Sequence, residues 1–279
     1  MVEFLSAQKI KTKTICLMPS ELQETSGLLI GLNNTIWTHN DSGGKPVLYQ
    51  INAKGEIIRK VWVSNAQNID WEELTTDRKG NVYIGDFGNN SNRRKDLCIY
   101  KIPHPDSLKK DTVSALKIRF SYEDQQAFPP IESQKNFDTE AMIFYKDSLW
   151  LFSKNRTKPY NGYCKIYVLP AKEGNYTALL KDSLYLAGKS PVFNWITAAA
   201  INNSEDSILL LSHKKAWIIT HFENRLWHNA TITKTRTSGL FSQKEAVALK
   251  TFDDIYITNE KLYFLRAKIL KAYIKMKKR

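Results

Sequence analysis

Acidic side chains stand at both ends of the segment 68–90, and their spacing indicates where chemistry could occur. Asp70, Glu72 and Glu73 precede a short apolar run and a polar turn, and a Gly- and Asn-rich stretch containing Asp86 follows the next apolar run. This pattern predicts two antiparallel strands joined by a tight turn, which would bring the outer ends of the segment together. Clustered carboxylates repel one another and raise one another's pKa, and a bound cation commonly relieves that repulsion.

Four other segments follow the same order of polar start, strand, turn, strand and polar tip. They begin at Glu24, Asp138, Thr197 and Gln243. A third strand with a central aromatic residue follows each tip, and a fourth strand follows in most repeats. The predicted third strands are 47–51, 98–102, 165–169, 216–219 and 261–265, and the predicted fourth strands are 57–63, 115–122, 183–187 and 230–235.

Repetition of one four-strand antiparallel order predicts an all-β protein with a β-propeller fold, although closely spaced short strands could also form a sandwich or a barrel. We expect five blades, or six if 121–137 or the C-terminal segment contains a degenerate repeat. The N-terminal strand 10–17 belongs to no repeat, and we expect it to complete the last blade as its fourth strand. Joining both ends of the chain in one blade removes an open sheet edge.

The sequence predicts a single propeller domain over 9–265, preceded by 1–8 and followed by a basic tail at 266–279. Segment 1–8 is apolar and then small, which indicates the remnant of a signal peptide and a periplasmic, cell-surface or secreted protein. If no signal peptide was removed, the protein is cytoplasmic. No apolar run reaches the roughly 18 residues of a membrane helix. We expect a monomer.

A net charge of +13, from 41 basic and 28 acidic residues, makes a polyanionic partner worth considering. The sequence contains no recognisable nucleic-acid-binding motif, and its acidic cluster would repel phosphate groups. We therefore interpret the positive charge as a solvated surface. Cys16, Cys98 and Cys164 lack the spacing of a metal site, and we expect them to be buried free thiols.

In a propeller, the first strand of each blade lines the central channel, so the starts of the first strands and the tips after the second strands meet at one mouth. Carboxylates with neighbouring Asn side chains at that mouth suit a hard cation, preferably Ca²⁺ or another divalent ion. A hydrogen-bonded acidic ring without metal and ordinary solvated turn residues are the alternatives. The candidate metal ligands are Glu24, Asp41, Asp70, Glu72, Asp86, Asp138, Glu140 and Glu245.

Side chains at the same mouth could also carry a reaction. His39, Asp70 and Glu140 are the candidate catalytic residues, because a histidine or carboxylate beside a metal can act as a general base. Basic side chains at the tips could neutralise an anionic substrate, or could form salt bridges with neighbouring acids. These candidate substrate contacts are Lys154, Arg156, His213 and Lys214.

Several longer motifs carry a family resemblance. They are Ser26-Gly27-Leu28, His39-Asn40-Asp41-Ser42-Gly43, Leu48-Tyr49, Asp70-Trp71-Glu72-Glu73-Leu74, 80–90 and Asp138-Thr139-Glu140-Ala141. Through them the chain resembles a family of uncharacterised, mostly exported β-propeller proteins from Bacteroidetes-type bacteria, over most of 20–260. More distantly it is similar to the gluconolactonase/senescence-marker, paraoxonase and esterase-like phytase propellers. Their motifs do not match residue by residue, so the distant similarity implies only that a cation lies in the channel.

Two functional hypotheses follow from these residues. In the first, the protein is a metal-dependent hydrolase of a lactone, an ester or a phosphoester, and the cation polarises the substrate or binds the attacking water. In the second, it is a non-catalytic propeller that binds a ligand or another protein. Its acidic residues then hold structural Ca²⁺ or only join the blades by hydrogen bonds. The fold alone does not distinguish these two hypotheses.

Overall fold

A computed structural model describes residues 4–6, 9–186, 188, 190–222, 230–237, 243–261 and 266–274. Strands, numbered in chain order, make up most of its regular structure. Within this part of the chain, four short 3-10 turns are the helical elements, and no helix is long and apolar enough to cross a membrane. The 3-10 turns are Leu32–Asn34, Pro105–Ser107, Glu132–Gln134 and Pro191–Phe193.

The described strands form five antiparallel units of four strands each. Unit 1 contains β3 (Thr25–Ile30), β4 (Ile36–Asn40), β5 (Val47–Ile51) and β6 (Ile57–Val63). Unit 2 contains β7 (Trp71–Thr76), β8 (Val82–Asp86), β9 (Cys98–Ile102) and β11 (Leu116–Tyr122). Unit 3 contains β12 (Thr139–Tyr145), β13 (Ser148–Ser153), β14 (Tyr163–Pro170) and β15 (Gly174–Tyr185). Unit 4 contains β16 (Ala198–Ile201), β17 (Ser207–Leu211), β18 (Lys215–Thr220) and β19 (Thr231–Arg236).

Unit 5 joins the two ends of the chain in one sheet. It contains β20 (Lys244–Thr251), β21 (Asp254–Asn259), β22 (Lys268–Tyr273) and the N-terminal strand β2 (Lys11–Leu17). Strand β2 pairs antiparallel with β22 and is the outermost strand, which is the place that the sequence predicts for it. The segment 121–137 contains only the end of β11 and one 3-10 turn, so it adds no sixth unit.

Parallel pairs extend most of the outer edges. Strand β11 of unit 2 pairs with β15 of unit 3 and produces a continuous eight-stranded sheet. A short strand, β10 (Thr112–Val113), pairs with β6, and β1 (Phe4–Ser6) pairs with β19. These pairs satisfy backbone groups that an open edge would leave exposed.

The structure corrects several predicted boundaries. The third strand of unit 5 is β22 rather than 261–265, of which 262–265 lie outside the described residues. The segment predicted as a basic tail therefore supplies a strand, because its apolar residues, such as Ile269 and Ala272, pack into the interfaces of unit 5 with its neighbours. Strand β15 covers 174–185 instead of 183–187, since it pairs with both β11 and β14. Part of the predicted signal remnant, 4–6, forms β1.

Apolar clusters lie between each unit and the next around the whole set. Five clusters join unit 1 to 2, 2 to 3, 3 to 4, 4 to 5, and 5 back to 1. The first strands also pack in this cyclic order, since β3 contacts β7 and β20, β12 contacts β7 and β16, and β16 contacts β20. The all-β fold is therefore propeller-like.

A β-bulge at the start of the first strand recurs in four units. In each, one extra residue lies between two ladder pairs. A bulge changes the direction in which the extra side chain points. The extra residues are Gly27, Glu72, Glu140 and Glu245. In unit 4, the N–H of Thr197 donates to the carbonyl of Leu211 at this position, so Thr197 stands where units 2, 3 and 5 carry a glutamate.

Replacing Gly27 with Ala should destabilise the fold strongly. Gly27 has a φ of +61°, and an added Cβ would lie 2.4 Å from His39 Nε2 and 2.8 Å from Leu74 Cγ. We expect a loss of about 2–4 kcal/mol in the free energy of unfolding, from left-handed strain and overpacking together. The control is Gly43→Ala, at φ +70° with no neighbouring atom within 4 Å, which should lose only about 1 kcal/mol. Equal losses in urea denaturation would contradict the crowding at the Gly27 bulge.

Candidate functional site

A cavity of about 210 Å³ lies at the end of the ring where the first strands begin. Residues from the starts of the first strands and residues from the tips after the second strands meet in its walls, as expected for one mouth of a propeller. We call this space the acidic cavity. It is lined by Ser26, Asp41, Glu72, Asn90, Glu140, Lys154, Arg156, Trp195, His213, Gln243, Glu245 and Glu260.

The bulges account for three of the carboxylates in the cavity. Glu72, Glu140 and Glu245 are the extra residues of β7, β12 and β20. Their residues are almost fully buried, with exposures of 4%, 4% and 7%. In an ordinary strand, alternate side chains point to opposite faces of the sheet, so the bulge is what re-aims a side chain at this position. The repeated backbone irregularity therefore sets where the charge of the cavity lies.

Asp41, Asp70 and Glu72 form the tightest acidic group among the described residues. One carboxylate oxygen from each lies within 4.8 Å of the others. Gly88 borders this group, and a Cβ on it would lie 2.2 Å from Glu72 Oε1 and 2.4 Å from Asp70 Oδ2. Only glycine leaves the space in which these oxygens converge. Three carboxylates around such a space match the oxygen ligands that Ca²⁺ prefers.

Burial and mutual repulsion favour the protonated forms of this group. Burial raises the pKa of Asp41 to about 8, and the charges of Glu140, Asp70 and Glu260 add to the rise. The pKa of Glu72 is raised well above its usual value by burial first and then by the charge of Glu140. The pKa of Asp70 is also raised, by burial and by Asp138, while Arg94 opposes the rise. A cation in this group would displace protons.

Asp138 and Glu140 already have cationic partners. Arg156 Nε lies 2.6 Å from Asp138 Oδ2, and Lys154 Nζ lies 2.8 Å from Glu140 Oε1. Arg156 also reaches Glu140 Oε1 at 3.4 Å and stacks on Trp195 at 4.7 Å from the ring centroid. Lys154 and Arg156 thus neutralise the walls of the cavity, and burial still raises the pKa of Glu140 to about 7.

Asp86 holds the backbone of the acidic group in place through a hydrogen bond with Asp70. It is fully buried, and its Oδ1 lies 3.0 Å from the Arg94 guanidinium and accepts the N–H of Asp70 at 3.1 Å. Arg94 also donates to the carbonyl of Gly88 at 3.0 Å. Asp86 therefore anchors the backbone at Asp70 and does not line the cavity.

The two candidate histidines differ in position. His39 is fully buried, its Nδ1 contacts the carbonyl of Asn40 at 2.9 Å, and its ring packs edge-on against Trp71 outside the cavity lining. His213 lines the cavity, with Nδ1 3.2 Å from Glu245 Oε1. Burial is the largest cause that lowers the pKa of each to about 4.

Two other candidates lie outside the cavity. Glu24 is exposed, and Lys214 lies against the Phe193 ring, 4.8 Å from its centroid. The structure thus brings together Asp41, Asp70, Glu72, Glu140, Glu245, Lys154, Arg156 and His213, with Asp86 and Asp138 in supporting positions.

Sequence reasoning missed two contributors to the site, Arg94 and Trp195. Glu260 lines the cavity at the tip after β21, where the repeat pattern places acidic side chains. Arg94 stands in the Asn-rich segment after Asp86, where its partner could not be recognised. Trp195 lies between two repeats and has no repeat signal.

The comparisons with known proteins support the fold. No protein-family model and no curated protein sequence matches the chain. A PQQ-bound aldose sugar dehydrogenase from Streptomyces coelicolor aligns with 96% of this chain and 99% of its own, at 11% identity and a TM-score of 0.52. The apo form of the soluble aldose sugar dehydrogenase from Escherichia coli aligns with 96% of this chain and 100% of its own, at 9% identity and a TM-score of 0.52. A gluconolactonase from Xanthomonas campestris covers 96% of this chain and 88% of its own at 10% identity, but its TM-score of 0.47 is too low to support an argument. At these identities the chain is similar to sugar dehydrogenase propellers in fold alone.

Proposed function

We propose that this protein is a divalent-cation-dependent hydrolase of a small lactone, ester or phosphoester, with Ca²⁺ as the preferred ion. The convergence of one oxygen each from Asp41, Asp70 and Glu72 within 4.8 Å, at the edge of the acidic cavity, carries the proposal. The space beside Gly88, which a Cβ would fill, supports a ligand at that point.

The cation would polarise a carbonyl or phosphoryl oxygen of the substrate and lower the pKa of a bound water. Asp41, Asp70 and Glu72 would hold it, and Asp86 with Arg94 fixes the backbone that carries Asp70. Lys154 and Arg156 compensate the charge of Glu140 and Asp138, so that the net negative charge of the site is concentrated where the cation binds.

His213 is the proton acceptor in this proposal, in place of His39. It lines the cavity and is neutral near pH 7, because burial and the charge of Lys154 lower its pKa to about 4. It would take a proton from water as the water oxygen bonds to the carbonyl carbon or phosphorus. The proton then passes to the departing oxygen, so the ring returns to its neutral state.

A non-catalytic role is the second candidate function. Arg156 connects Asp138 and Glu140 of unit 3 to Asn90 of unit 2, and Glu73 of unit 2 accepts the N–H of Ala199 in unit 4 at 2.9 Å. These bonds between units favour an acidic ring that holds the propeller together. In this alternative, the protein binds a ligand or partner without chemical turnover.

We also infer that the five units are the five blades of one closed propeller domain. The five apolar clusters between successive units and the cyclic packing of the first strands support this number. The N-terminal strand in unit 5 gives a closure between the chain ends.

Removing one ligand should weaken cation binding. We expect about one Ca²⁺ per chain by mass spectrometry of the metal content, and an affinity at least about tenfold lower in Asp70→Asn and Glu72→Gln, the loss of about 1.4 kcal/mol or more. The control is Glu24→Gln, a nearby exposed acid outside the cavity, which should bind Ca²⁺ as the wild type does. A wild type without bound metal, or equal affinities in all variants, would show that the proposed cation site is wrong.

Stability of the metal-free protein should fall as the pH rises from about 4 to about 8. Asp41, Glu140 and Glu260 have pKa values of about 8, 7 and 7 in the folded chain, above the roughly 4 of an unfolded carboxyl. The folded state therefore binds more protons in this range, and the stability that this provides is lost as the groups ionise. Thermal melts with and without Ca²⁺ test this, and the stabilisation by Ca²⁺ should be larger at pH 8 than at pH 6. A metal-free melting temperature that rises through this range would contradict the assignment.

His213→Gln should lower kcat by about a hundredfold or more while retaining Ca²⁺ affinity, because a general base contributes about that factor. Hydrolysis of p-nitrophenyl acetate, δ-valerolactone and p-nitrophenyl phosphate provides the measurement. His39→Gln is the matched control: it should lower the melting temperature, since the ring is packed against Trp71, but should leave kcat near the wild-type value. The reverse pattern would return the role of base to His39.

A further inference from the structure

Basic residues of unit 4 lie just outside the acidic cavity. Trp195 and His213 line the cavity, and their sequence neighbours lie just outside it. Lys215 Nζ donates to Asn194 Oδ1 at 2.7 Å, and Lys214 lies against the Phe193 ring. The loop 193–195 and the tip 213–215 therefore connect the wall of the cavity to a patch of opposite charge.

Two cationic residues, Lys215 and Arg236, face each other across a strand pair. Lys215 of β18 pairs directly with Arg236 of β19, and directly opposed side chains share one face of the sheet. Lys234 lies two residues before Arg236 and so projects from the same face. Like charges directly opposite each other are destabilising. The fold thus maintains an arrangement that its own stability does not favour.

Three of the cations, Lys214, Lys215 and Arg236, have no carboxylate partner in the part of the chain that the structure describes. None of the ion pairs found there includes Lys214, Lys215 or Arg236. Lys215 is half-buried, and burial, Lys234 and Arg236 together lower its pKa to about 8. A partly desolvated ammonium group among other cations is the arrangement that binds a multiply charged anion.

We propose that Lys214, Lys215 and Arg236, which we call the cationic rim, bind a phosphate group of a small-molecule ligand. The rest of that ligand would extend past Trp195 into the acidic cavity. Three cations suit a phosphate, which has up to two negative charges and three acceptor oxygens, better than a single carboxylate. A long nucleic acid fits poorly, because the carboxylates of the cavity mouth would repel its other phosphates. The proposal goes beyond the cation site and does not depend on it.

Pyrophosphate is the probe for this rim, titrated calorimetrically into protein that has been stripped of metal and dialysed. We expect the wild type to bind it, and Lys215→Met and Arg236→Met each to bind at least about tenfold more weakly, since each removes one charged contact. Lys54→Met, which removes an exposed lysine in unit 1, is the matched control and should bind as the wild type does. Arg236→Met should melt no lower than the wild type without pyrophosphate, because it removes a like-charge contact, whereas Lys215→Met also loses the hydrogen bond to Asn194 Oδ1.

Three results would overturn the proposal. One is a wild type that does not bind pyrophosphate, and another is an equal loss of affinity in Lys54→Met, which would indicate a diffuse charge effect. The third is a single-stranded oligonucleotide that binds through the same residues when pyrophosphate does not, which would make the rim a polyanion surface. Asp70→Asn separates this proposal from the proposed function. It should lose Ca²⁺ and keep pyrophosphate, and loss of pyrophosphate binding in this variant would show that the anion depends on the acidic group rather than on the rim.

Discussion

Several carboxylates are withdrawn from water into one small cavity, and much of the surrounding structure compensates their repulsion. Desolvation favours the protonated form of each, and each ionised neighbour raises the pKa of the others. Arg94, Lys154 and Arg156 neutralise part of the charge at Asp86, Glu140 and Asp138. Among the described ion pairs, Asp41, Asp70 and Glu72 receive no such partner. Protonation or a bound cation would relieve the repulsion in this group, and the two would compete for the same oxygens.

Two neighbouring glutamates at the start of β7, Glu72 and Glu73, have different roles. The bulge in β7 directs Glu72 into the cavity, while Glu73 accepts hydrogen bonds from the N–H of Leu74 at 3.0 Å and of Ala199 at 2.9 Å. Ala199 belongs to unit 4, so Glu73 connects two units that are not adjacent in the ring. Glu73 is fully buried, and this burial raises its pKa. One acid thus supplies charge to the site, and the next one in sequence holds the framework.

Much of the architecture could be predicted from the sequence, because repeated strands bury repeated side chains. Trp37, Tyr83 and Trp150 fill interfaces between units, as their shared repeat position indicates, and the N-terminal strand lies in the last unit. The predicted third strand of unit 5 was wrong because two apolar runs, 262–265 and 269–274, satisfy the same sequence pattern. Tertiary packing decides between such runs, and a single sequence does not contain that information.

The candidate site was predictable in its acids and less so in its bases. The acids recur at one position of the repeat, whereas a histidine at a tip can face either direction. His39 still belongs to a ladder pair, opposite Ser26, and points into the packed interior, whereas His213 lies two residues after the end of β17 and faces the cavity. Position relative to the strand end therefore decides which histidine can reach a substrate. The register of a bulged strand is set by packing, so only the structure could make that assignment.

The net charge of the chain does not show how its charges are distributed over the structure. The total of +13 indicates a basic protein, yet the cavity at the mouth is rich in acids and the cations beside it lie on the side of unit 4. Charge is separated across this mouth, because carboxylates are concentrated in the cavity whereas Lys215 and Arg236 lie outside its lining. A ligand with an anionic group at one end would enter with that group outward and its other end toward Asp41, Asp70 and Glu72. Orientation of the ligand would then arise from the separation of charge, before any contact with the cation is made.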